Sequence, residues 1–355
     1  MEFRAALQAE RDEVLDLLAL WYGDREFFAR YNQSDPTFRD DLCLVAVDGR
    51  RIVSTVQIFD RKINLAGQTV PMGGIGSVFT REEYRHRGLA SSLMRLAVDT
   101  MKREEFEISL LFAERLTFYN QFGWREIERS LTVLANASAL EAPADLEIDV
   151  LDPGRDLPDV VRIHRDYSGR FNATAIRDHA DWRGNLIYAG NSPAQQNPGE
   201  CEEYFVIARR NGAIVAYARA TRFHGIAMVM EFGCASGEEH GIVGLFKHMS
   251  QMGSTGVSSF RLISDHRSSQ VLRPYGLASG SGLLVTHTRH DTKLEQLLAK
   301  AGAPPHHHPD NNYMWRIVSP KKLGKRFGLG AQEAERRVYE MLSDPQSLFW
   351  TADRF

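Results

Sequence analysis

Residues 73–94 read GGIGSVFTREEYRHRGLASSLM and combine an apolar strand, a basic turn and the start of a helix. The strand ends near Thr80, and Leu89 and Leu93 begin an apolar pattern at helical spacing. The first turn of a helix leaves backbone N–H groups unpaired and carries the positive end of the helix dipole, so it suits a phosphate or pyrophosphate. The pattern therefore predicts an anion-binding site at residues 85–90.

The composition sets the broad class of the protein. Its 355 residues are enough for two domains and a small third element. With 43% apolar residues, 25% charged residues and a net charge of -3, the chain shows no global preference for nucleic acid or an anionic membrane. Cys43, Cys201 and Cys234 form no Cys-x-x-Cys pair, which indicates a reducing compartment. No apolar run approaches the roughly 20 residues that span a bilayer. We therefore expect a cytoplasmic protein without a nucleic-acid, membrane or metal partner.

The first half of the chain predicts alternating strands and helices. Asp48-Gly49 predicts a hairpin turn, and three glycines between 73 and 76 suggest a bulge or a ligand beside that strand. The predicted elements are a strand at 2–6, a helix at 11–21, strands at 42–47, 52–59 and 70–80, a helix at 89–103, a strand at 108–112, a turn at 118–124 and a strand ending near 134.

This order of elements resembles an acetyltransferase of the GNAT superfamily. The family pattern Gln/Arg-x-x-Gly-x-Gly/Ala, which binds the pyrophosphate of coenzyme A, is met by Arg85, Gly88 and Ala90. The resemblance implies an α/β fold with a mixed sheet of the α+β kind, and acetyl-CoA as the cofactor. It implies cofactor contacts from the strand end and the following loop, namely Val78, Phe79, Thr80, Arg85, His86, Arg87, Gly88, Leu89, Ala90 and Ser91. The alternative is a basic turn whose glycine serves only tight packing.

The second half repeats the first weakly after a linker-like stretch at 136–145. A hairpin signal at Asn211-Gly212 mirrors the first hairpin about 160 residues earlier, a spacing that indicates a duplicated fold. Where the first half has its basic turn, the second has Glu238 and Glu239, which would repel a pyrophosphate. The second copy is therefore predicted to be a degenerate, non-catalytic scaffold.

These patterns divide the chain into tandem GNAT folds with a short C-terminal tail. We predict a catalytic acetyl-CoA-binding domain at 1–140, a degenerate second GNAT-like domain at 145–318 and a tail at 319–355. The strand at 314–318 would complete the second domain, and 321–326 would be a basic connection. The aromatic residues near the end of the chain predict that this segment docks into the body.

The tandem layout, the Tyr-x-x-Phe-Gly-aromatic turn at 119–124 and the aromatic last residue resemble the Eis-like (enhanced intracellular survival) acetyltransferases. In that family the tyrosine of the turn protonates the departing thiolate and the C-terminal carboxylate is the base. The resemblance therefore implies Tyr119 as general acid and the carboxylate of Phe355 as general base. It also implies a homo-oligomer. Because the family usually ends in a sterol-carrier-like domain, the tail at 319–355 would be a reduced form of one.

The sequence thus predicts an acetyl-CoA-dependent N-acetyltransferase in which a small or polycationic amine attacks directly. Two alternatives remain open: a non-catalytic acyl-CoA-binding regulatory module, and an acyl or aminoacyl transferase acting on a peptide or cell-wall precursor. Tyr119 lies between two phenylalanines, Phe118 and Phe122, and could be core packing instead, and Phe355 could be a buried anchor.

Two further features could be read as sites. His306 to His308 converge poorly on one metal ion and predict a flexible loop. Asp24, Asp40 and Asp41 could line a pocket for a cationic acceptor, although such residues more often lie on a solvated face.

Overall fold

The computed structural model describes residues 1–23, 25–113, 115–190, 201–223, 226–251, 284–286, 292–310, 312–345, 347–350 and 353. Within these residues the chain forms two seven-stranded mixed sheets with helices on their faces. No helix of this part of the chain is both long enough and apolar enough to cross a membrane.

The first half supplies the elements that the sequence predicts, with longer central strands. Its strands are β1 (Glu2–Ala5), β2 (Cys43–Asp48), β3 (Arg51–Leu65), β4 (Gln68–Thr80), β5 (Ile108–Phe112), β6 (Arg125–Glu126) and β7 (Arg129–Leu134). Its helices are α1 (Arg11–Tyr22), α2 (Arg25–Ser34), α3 (Leu89–Arg103) and α4 (Leu116–Asn120). The predicted helix at 89–103 and strand at 108–112 are confirmed.

The second half also alternates strands and helices, and the tail adds two further helices. The strands are β8 (Glu147–Val150), β9 (Cys201–Arg210), β10 (Ala213–Phe223), β11 (Ile226–Cys234), β12 (Leu284–Thr286), β13 (His306–Asp310) and β14 (Tyr313–Ile317). The helices are α5 (Pro153–Ser168), α6 (His179–Gly190), α7 (Glu239–Gln251), α8 (Thr292–Lys300), α9 (Pro320–Phe327) and α10 (Ala331–Ser343). Residues 260–263, whose apolar run predicts a strand, and residues 272–277, which resemble the turn at 119–124, lie outside the described residues.

Turns with left-handed residues close the hairpins. The predicted turns at Gly49, with φ 63°, and Gly212, with φ 78°, join β2 to β3 and β9 to β10 and are confirmed. A third turn, Ala66-Gly67 with φ 49° and 76°, joins β3 to β4. Two successive positive φ angles match the twist of a tight hairpin. Because the turn is so short, β3 and β4 stay paired up to Leu65 and Gln68, which lie beyond the predicted strand ends.

Two local predictions are wrong. The supposed basic connection at 321–326 is helix α9, because Leu323 is fully buried against the first sheet and gives the segment an apolar side. The supposed flexible loop at 306–308 is strand β13, which pairs with β7. There the two ring nitrogens of His307 lie 3.0 Å from the Thr132 hydroxyl and 3.2 Å from a Glu295 carboxylate oxygen.

The first sheet has the strand order β1-β2-β3-β4-β5-β14-β6. Strands β4 and β5 run parallel, and their pairing extends from Met72 with Ile108 to Ile75 with Leu111. Helix α3 covers one face, whereas α1 and α2 cover part of the other and the tail helices α9 and α10 cover the rest. The sheet is thus enclosed on both sides, as expected for strands with nearly continuous apolar sequences.

Gly73 brings α3 close to this sheet. A Cβ atom at that position would lie 2.7 Å from the Sδ atom of Met101 on the helix. The sequence suggested a bulge or a nearby ligand as the reason for the glycines of β4. At Gly73 the close neighbour is the Met101 side chain of α3, which would have to shift to admit a larger residue.

The second sheet has the order β13-β7-β12-β11-β10-β9-β8, with β11 and β12 parallel. Helices α7 and α8 pack on one large apolar cluster of this sheet, and α5 with Trp182 of α6 on another. Ala137 and Leu140, in the stretch predicted as a linker, are fully buried in the first of these clusters.

The two sheets exchange a strand. Strand β14, predicted as the last strand of the second copy, pairs with β5 and β6 in the first sheet. Strand β7, predicted as the last strand of the first copy, pairs with β12 and β13 in the second sheet. Both assignments to a sheet are therefore corrected. The domain boundaries 1–140, 145–318 and 319–355 stay predictions. The sheets do not follow them strictly, because the first sheet includes β14 from the second segment and the second sheet includes β7 from the first.

The segment near residue 350 links the two cores, and its predicted docking is confirmed for the described residues. Phe349 is buried in the cluster under the tail helices, and Trp350 is buried in the large cluster of the second sheet. The indole Nε1 of Trp350 donates to the Ser168 hydroxyl at 3.0 Å. Adjacent aromatic side chains thus pack into different sheets.

Candidate functional site

Strand β4 opens away from β5 at its C-terminal end. The parallel pairing stops at Ile75, but β4 continues to Thr80 alongside β3. One extra residue lies in β4 between the pairs Gly76 with Gln57 and Phe79 with Thr55, and Ser77 there has φ 51°. This is a β-bulge, which re-aims the backbone of the strand. Beyond Ile75, the edge of β4 on the side of β5 pairs with no other described strand. Its backbone N–H and C=O groups are therefore available to a ligand.

The basic loop follows directly and leads into α3. His86 and Gly88 have φ 62° and 75°, and both angles turn the chain so that the helix starts at Leu89. The helix ladder begins with Ser92 N–H donating to the Gly88 carbonyl at 3.0 Å. The N–H groups of 89–91 therefore precede the ladder and point out of the helix start, as an anion site requires.

The side chains of the loop leave this helix start accessible. Residues 85–88 are exposed, while Leu89 is buried under them. Arg87 donates to the Glu83 carbonyl at 2.7 Å and lies over the ring of Tyr84, 4.9 Å from its centroid. Arg85 has its guanidinium 6.0 Å from the centroid of the Phe79 ring. The loop therefore presents cationic groups around free backbone donors, a fit for a pyrophosphate.

Tyr119 lies on α4, the short helix that follows β5. Its half-buried ring meets Phe118 edge-on, with 4.9 Å between ring centroids. Tyr119 and Val78 both pack against the apolar cluster in which Leu89 is buried. The structure thus brings the tyrosine, the bulged strand and the start of α3 together around one cluster.

An acidic cavity of about 170 Å³ lies on the opposite face of the first sheet, beside α2. Five carboxylates and three cations are among its lining residues: Asp35, Asp60, Asp178, Asp181 and Asp353, with Arg61, Lys62 and Arg177.

A narrower cavity on the other side of α2 is lined by Asn32, Asp40 and, at the bulge, Ser77. Of the acidic residues singled out from sequence, Asp40 borders only this narrower cavity and pairs with Arg11 at 2.7 Å. Asp41 pairs with Arg39, and Asp24 lies outside the described residues.

Burial shifts the acid–base equilibria of the cavity wall. Asp35 is neutralised by Arg61 at 2.7 Å. Desolvation raises the pKa of Asp60 and of Asp181, because burial disfavours a carboxylate. It also raises the pKa of Tyr31 to about 12. A cationic group in the cavity would offset this cost of ionising the carboxylates.

A buried ionic cluster closes the cavity on the side of the second sheet. The guanidinium of Arg177 pairs with Glu231 of β11 and, at 2.6 Å, with Asp353. The Arg177 side chain is only 3% exposed and lies over the Trp182 ring at 4.6 Å. Burial raises the pKa of Asp353, whereas Arg177 lowers the pKa of Glu231. Sequence reasoning missed Asp353 because its partners are about 120 and 180 residues away in the chain, and only the spacing to Phe355 could have drawn attention to it.

Two predicted sites have different outcomes. Phe355, the proposed base, lies outside the described residues, so its role stays a prediction. At the start of α7, Glu238 pairs with Arg210 and Glu239 pairs with Lys293 at 2.9 Å. These acidic residues stand where the first sheet has its basic loop, and the absence of a second cofactor site stays a prediction.

Comparison with known proteins agrees with this geometry. Residues 2–127 match the family described as "Acetyltransferase (GNAT) domain". In sequence, no curated protein matches the chain. A GCN5-related N-acetyltransferase from Anabaena variabilis is similar in structure, with 15% identity, a TM-score of 0.62 and coverage of 89% of this chain and 72% of that one.

Two further solved structures are similar in fold. Eis1 from Mycobacterium abscessus has 11% identity and a TM-score of 0.57, and the match covers 90% of this chain and 74% of that one. A tandem GNAT protein from the clavulanic acid biosynthesis pathway has 13% identity and a TM-score of 0.50, with coverage of 90% and 99%. At such identities the likeness shows the shared fold.

Parallel strands that open at a bulge beside a basic helix start form a site suited to a phosphate-bearing cofactor. Residues 2–127 match an acetyltransferase domain of the GNAT family, whose members take the acetyl group from acetyl-CoA. The chain shares its fold with the tandem GNAT protein of the clavulanic acid pathway and with Eis1.

Proposed function

We propose that this enzyme transfers an acetyl group from acetyl-CoA to an amine of a small or polycationic acceptor. The observation that carries the proposal is that the first sheet has a basic site on one face and an acidic cavity on the other. The basic loop and Tyr119 border the α3 face of the first sheet, and the acidic cavity opens on the α2 face. Such a sheet can hold an anionic cofactor and a cationic acceptor on opposite sides of one strand opening.

The residues of the loop fit the cofactor. The backbone donors of 89–91 and the side chain of Arg85 would hold the pyrophosphate, and the bulged strand at 78–80 would pair with the pantetheine arm. Bound acetyl-CoA supplies an acetyl thioester. Tyr119 would donate its hydroxyl proton as the carbon–sulfur bond breaks, since a tyrosine is protonated at neutral pH.

The carboxylate of Phe355 is proposed as the base that takes the proton of the acceptor ammonium. The support is the resemblance of the aromatic last residue to the Eis-like family, and Asp353, two residues earlier, lines the acidic cavity on the proposed acceptor side. Two glycines added after Phe355 would move the carboxylate and should lower kcat/KM about 10²-fold at neutral pH. Full activity of the extended protein in a steady-state assay would show that this carboxylate is not the base.

A panel of amines with acetyl-CoA tests the proposed function. We expect release of free CoA thiol with small polyamines, and slower release with neutral amines of similar size. A protein that binds acetyl-CoA but acetylates no amine would be a regulatory module. Turnover of a peptide or cell-wall precursor in place of small amines would indicate the other acyltransferase class.

A further inference from the structure

Asp353 lines the acidic cavity and carries a buried carboxylate oxygen. Its side chain is 6% exposed, and Oδ1 accepts from the Nε of Arg177 at 2.6 Å. Among the described residues, the second oxygen, Oδ2, has no hydrogen-bond partner, and it is fully buried. A buried carboxylate oxygen without a partner is costly, so it marks a position where a donor from a ligand would be stabilising.

The charges around Asp353 leave its negative charge only partly compensated. Arg177 is shared with Glu231, and Arg219 of β10 stands opposite Glu231 in the register of the sheet. Arg61, the other cation that acts on Asp353, is already paired with Asp35. Each neighbouring cation thus also interacts with another carboxylate, and the charge of Asp353 is not fully balanced by any of them.

The acidic cavity lies some distance from the strand opening. Both cavities are lined by β3, the narrower one at Gln57 and the acidic one at Arg61. At roughly 3.3 Å per residue these positions are about 13 Å apart along the strand. The narrower cavity reaches Ser77 of the bulge, where an amine would meet the thioester.

We infer that Asp353 determines specificity by binding a second cationic group of the acceptor, on the order of 10 Å from the amine that is acetylated. This inference rests on the proposed function. The acceptor would extend past α2, with its reacting amine at the bulge and its other ammonium group donating to Oδ2 of Asp353.

The test compares α,ω-diaminooctane with octylamine, which differ only in the second amine. The wild-type kcat/KM should favour the diamine by about 10- to 100-fold, the range expected for a hydrogen bond to a charged group. Asp353→Asn should reduce this ratio towards one, mainly through a higher KM for the diamine. Asparagine can still accept from Arg177, and the melting temperature will report any loss of folding.

Matched measurements make the outcome decisive. Asp344→Asn changes an exposed aspartate of the same tail and should keep the wild-type ratio. A series of diaminoalkanes on the unmodified enzyme should show a best length, and equal kcat/KM at all lengths would overturn the inference. So would an unchanged ratio in Asp353→Asn.

Calorimetric binding of diaminooctane separates this inference from the proposed function. If no amine is acetylated but the diamine binds wild type more tightly than Asp353→Asn, the proposed function fails and the cation site stands. If amines are acetylated but diamine binding is the same in both proteins, the cation site fails and the proposed function stands.

Discussion

Tyr119 is held by contacts with Phe118 and Phe122, one and three residues away in the chain. Its carbonyl accepts from the N–H of Phe122 at 3.0 Å, which ends α4 in a tight turn. The rings of Phe118 and Phe122 pack together with 5.4 Å between centroids and support the turn from below. The flanking phenylalanines, which made core packing a plausible role for Tyr119, therefore hold it at the rim of the cluster.

Tyr119→Phe tests its role as general acid. The substitution keeps the ring and removes the proton donor, so kcat should fall by about 10²-fold or more, while the affinity for acetyl-CoA changes little. Steady-state kinetics and calorimetric binding of CoA measure the two effects. Tyr339→Phe is the matched control, because its half-buried hydroxyl contacts the Trp315 carbonyl away from this site. An unchanged kcat in Tyr119→Phe would exclude the acid role.

Residues of the cofactor loop could be predicted because their signal is local. Arg85, Gly88 and Ala90 lie within six positions, and a strand and helix pattern flanks them. The acidic cavity gives no such signal, because its carboxylates come from the residue after α2, from β3, from the start of α6 and from the tail, and they meet only in the folded chain. Asp353 and Asp60 look like ordinary surface residues in the sequence.

Helix α5 and strand β10 enclose a buried histidine. The Nδ1 atom of His164 lies 2.8 Å from the Tyr217 hydroxyl, and Trp182 meets the ring edge-on. Burial, together with the positive charge of Arg177, lowers the pKa of His164 to about 3. The histidine is therefore neutral in the folded protein throughout the neutral and mildly acidic range.

This histidine should make the protein sensitive to mild acid. In the unfolded chain a histidine takes up a proton near pH 6.5, whereas folded His164 does so only near pH 3, so stability is present above pH 6.5 and is lost as the pH falls below it. The slope from this one group approaches about 1.4 kcal/mol per pH unit. His164→Gln should remove that slope.

Urea unfolding between pH 7 and pH 4.5 measures the effect. His179→Gln, which changes an exposed histidine of α6, should keep the wild-type slope. Equal slopes for wild type and His164→Gln would contradict the prediction.

Most helices and strands could be predicted from periodicity and turn residues, but the sheet that each strand joins could not. The apolar strand at Tyr313–Ile317 fits either sheet by its sequence. Its pairing with β5 is decided by contacts across about 200 residues, where Tyr313 and Trp315 fill the cluster beneath the tail helices. Local patterns carry no information on such pairings.

Because of the exchanged strands, neither sheet should be stable alone. A fragment of residues 1–140 would lack β14 between β5 and β6, and would lack α9 and α10 over one face. We expect this fragment to show no cooperative thermal transition, and to form a folded complex when it is co-expressed with residues 141–355. Circular dichroism and gel filtration measure both. A two-state transition of the isolated fragment would show that the exchange is dispensable.

The position of β14 also has a consequence for synthesis on the ribosome. Strand β5 emerges about 200 residues before the partner that must pair with it, which at ordinary rates of translation is roughly 10 to 40 s. During that interval the apolar edge of the first sheet is exposed, and apolar strand edges are prone to aggregate. The nascent chain is therefore expected to depend on chaperones until β14 has been made.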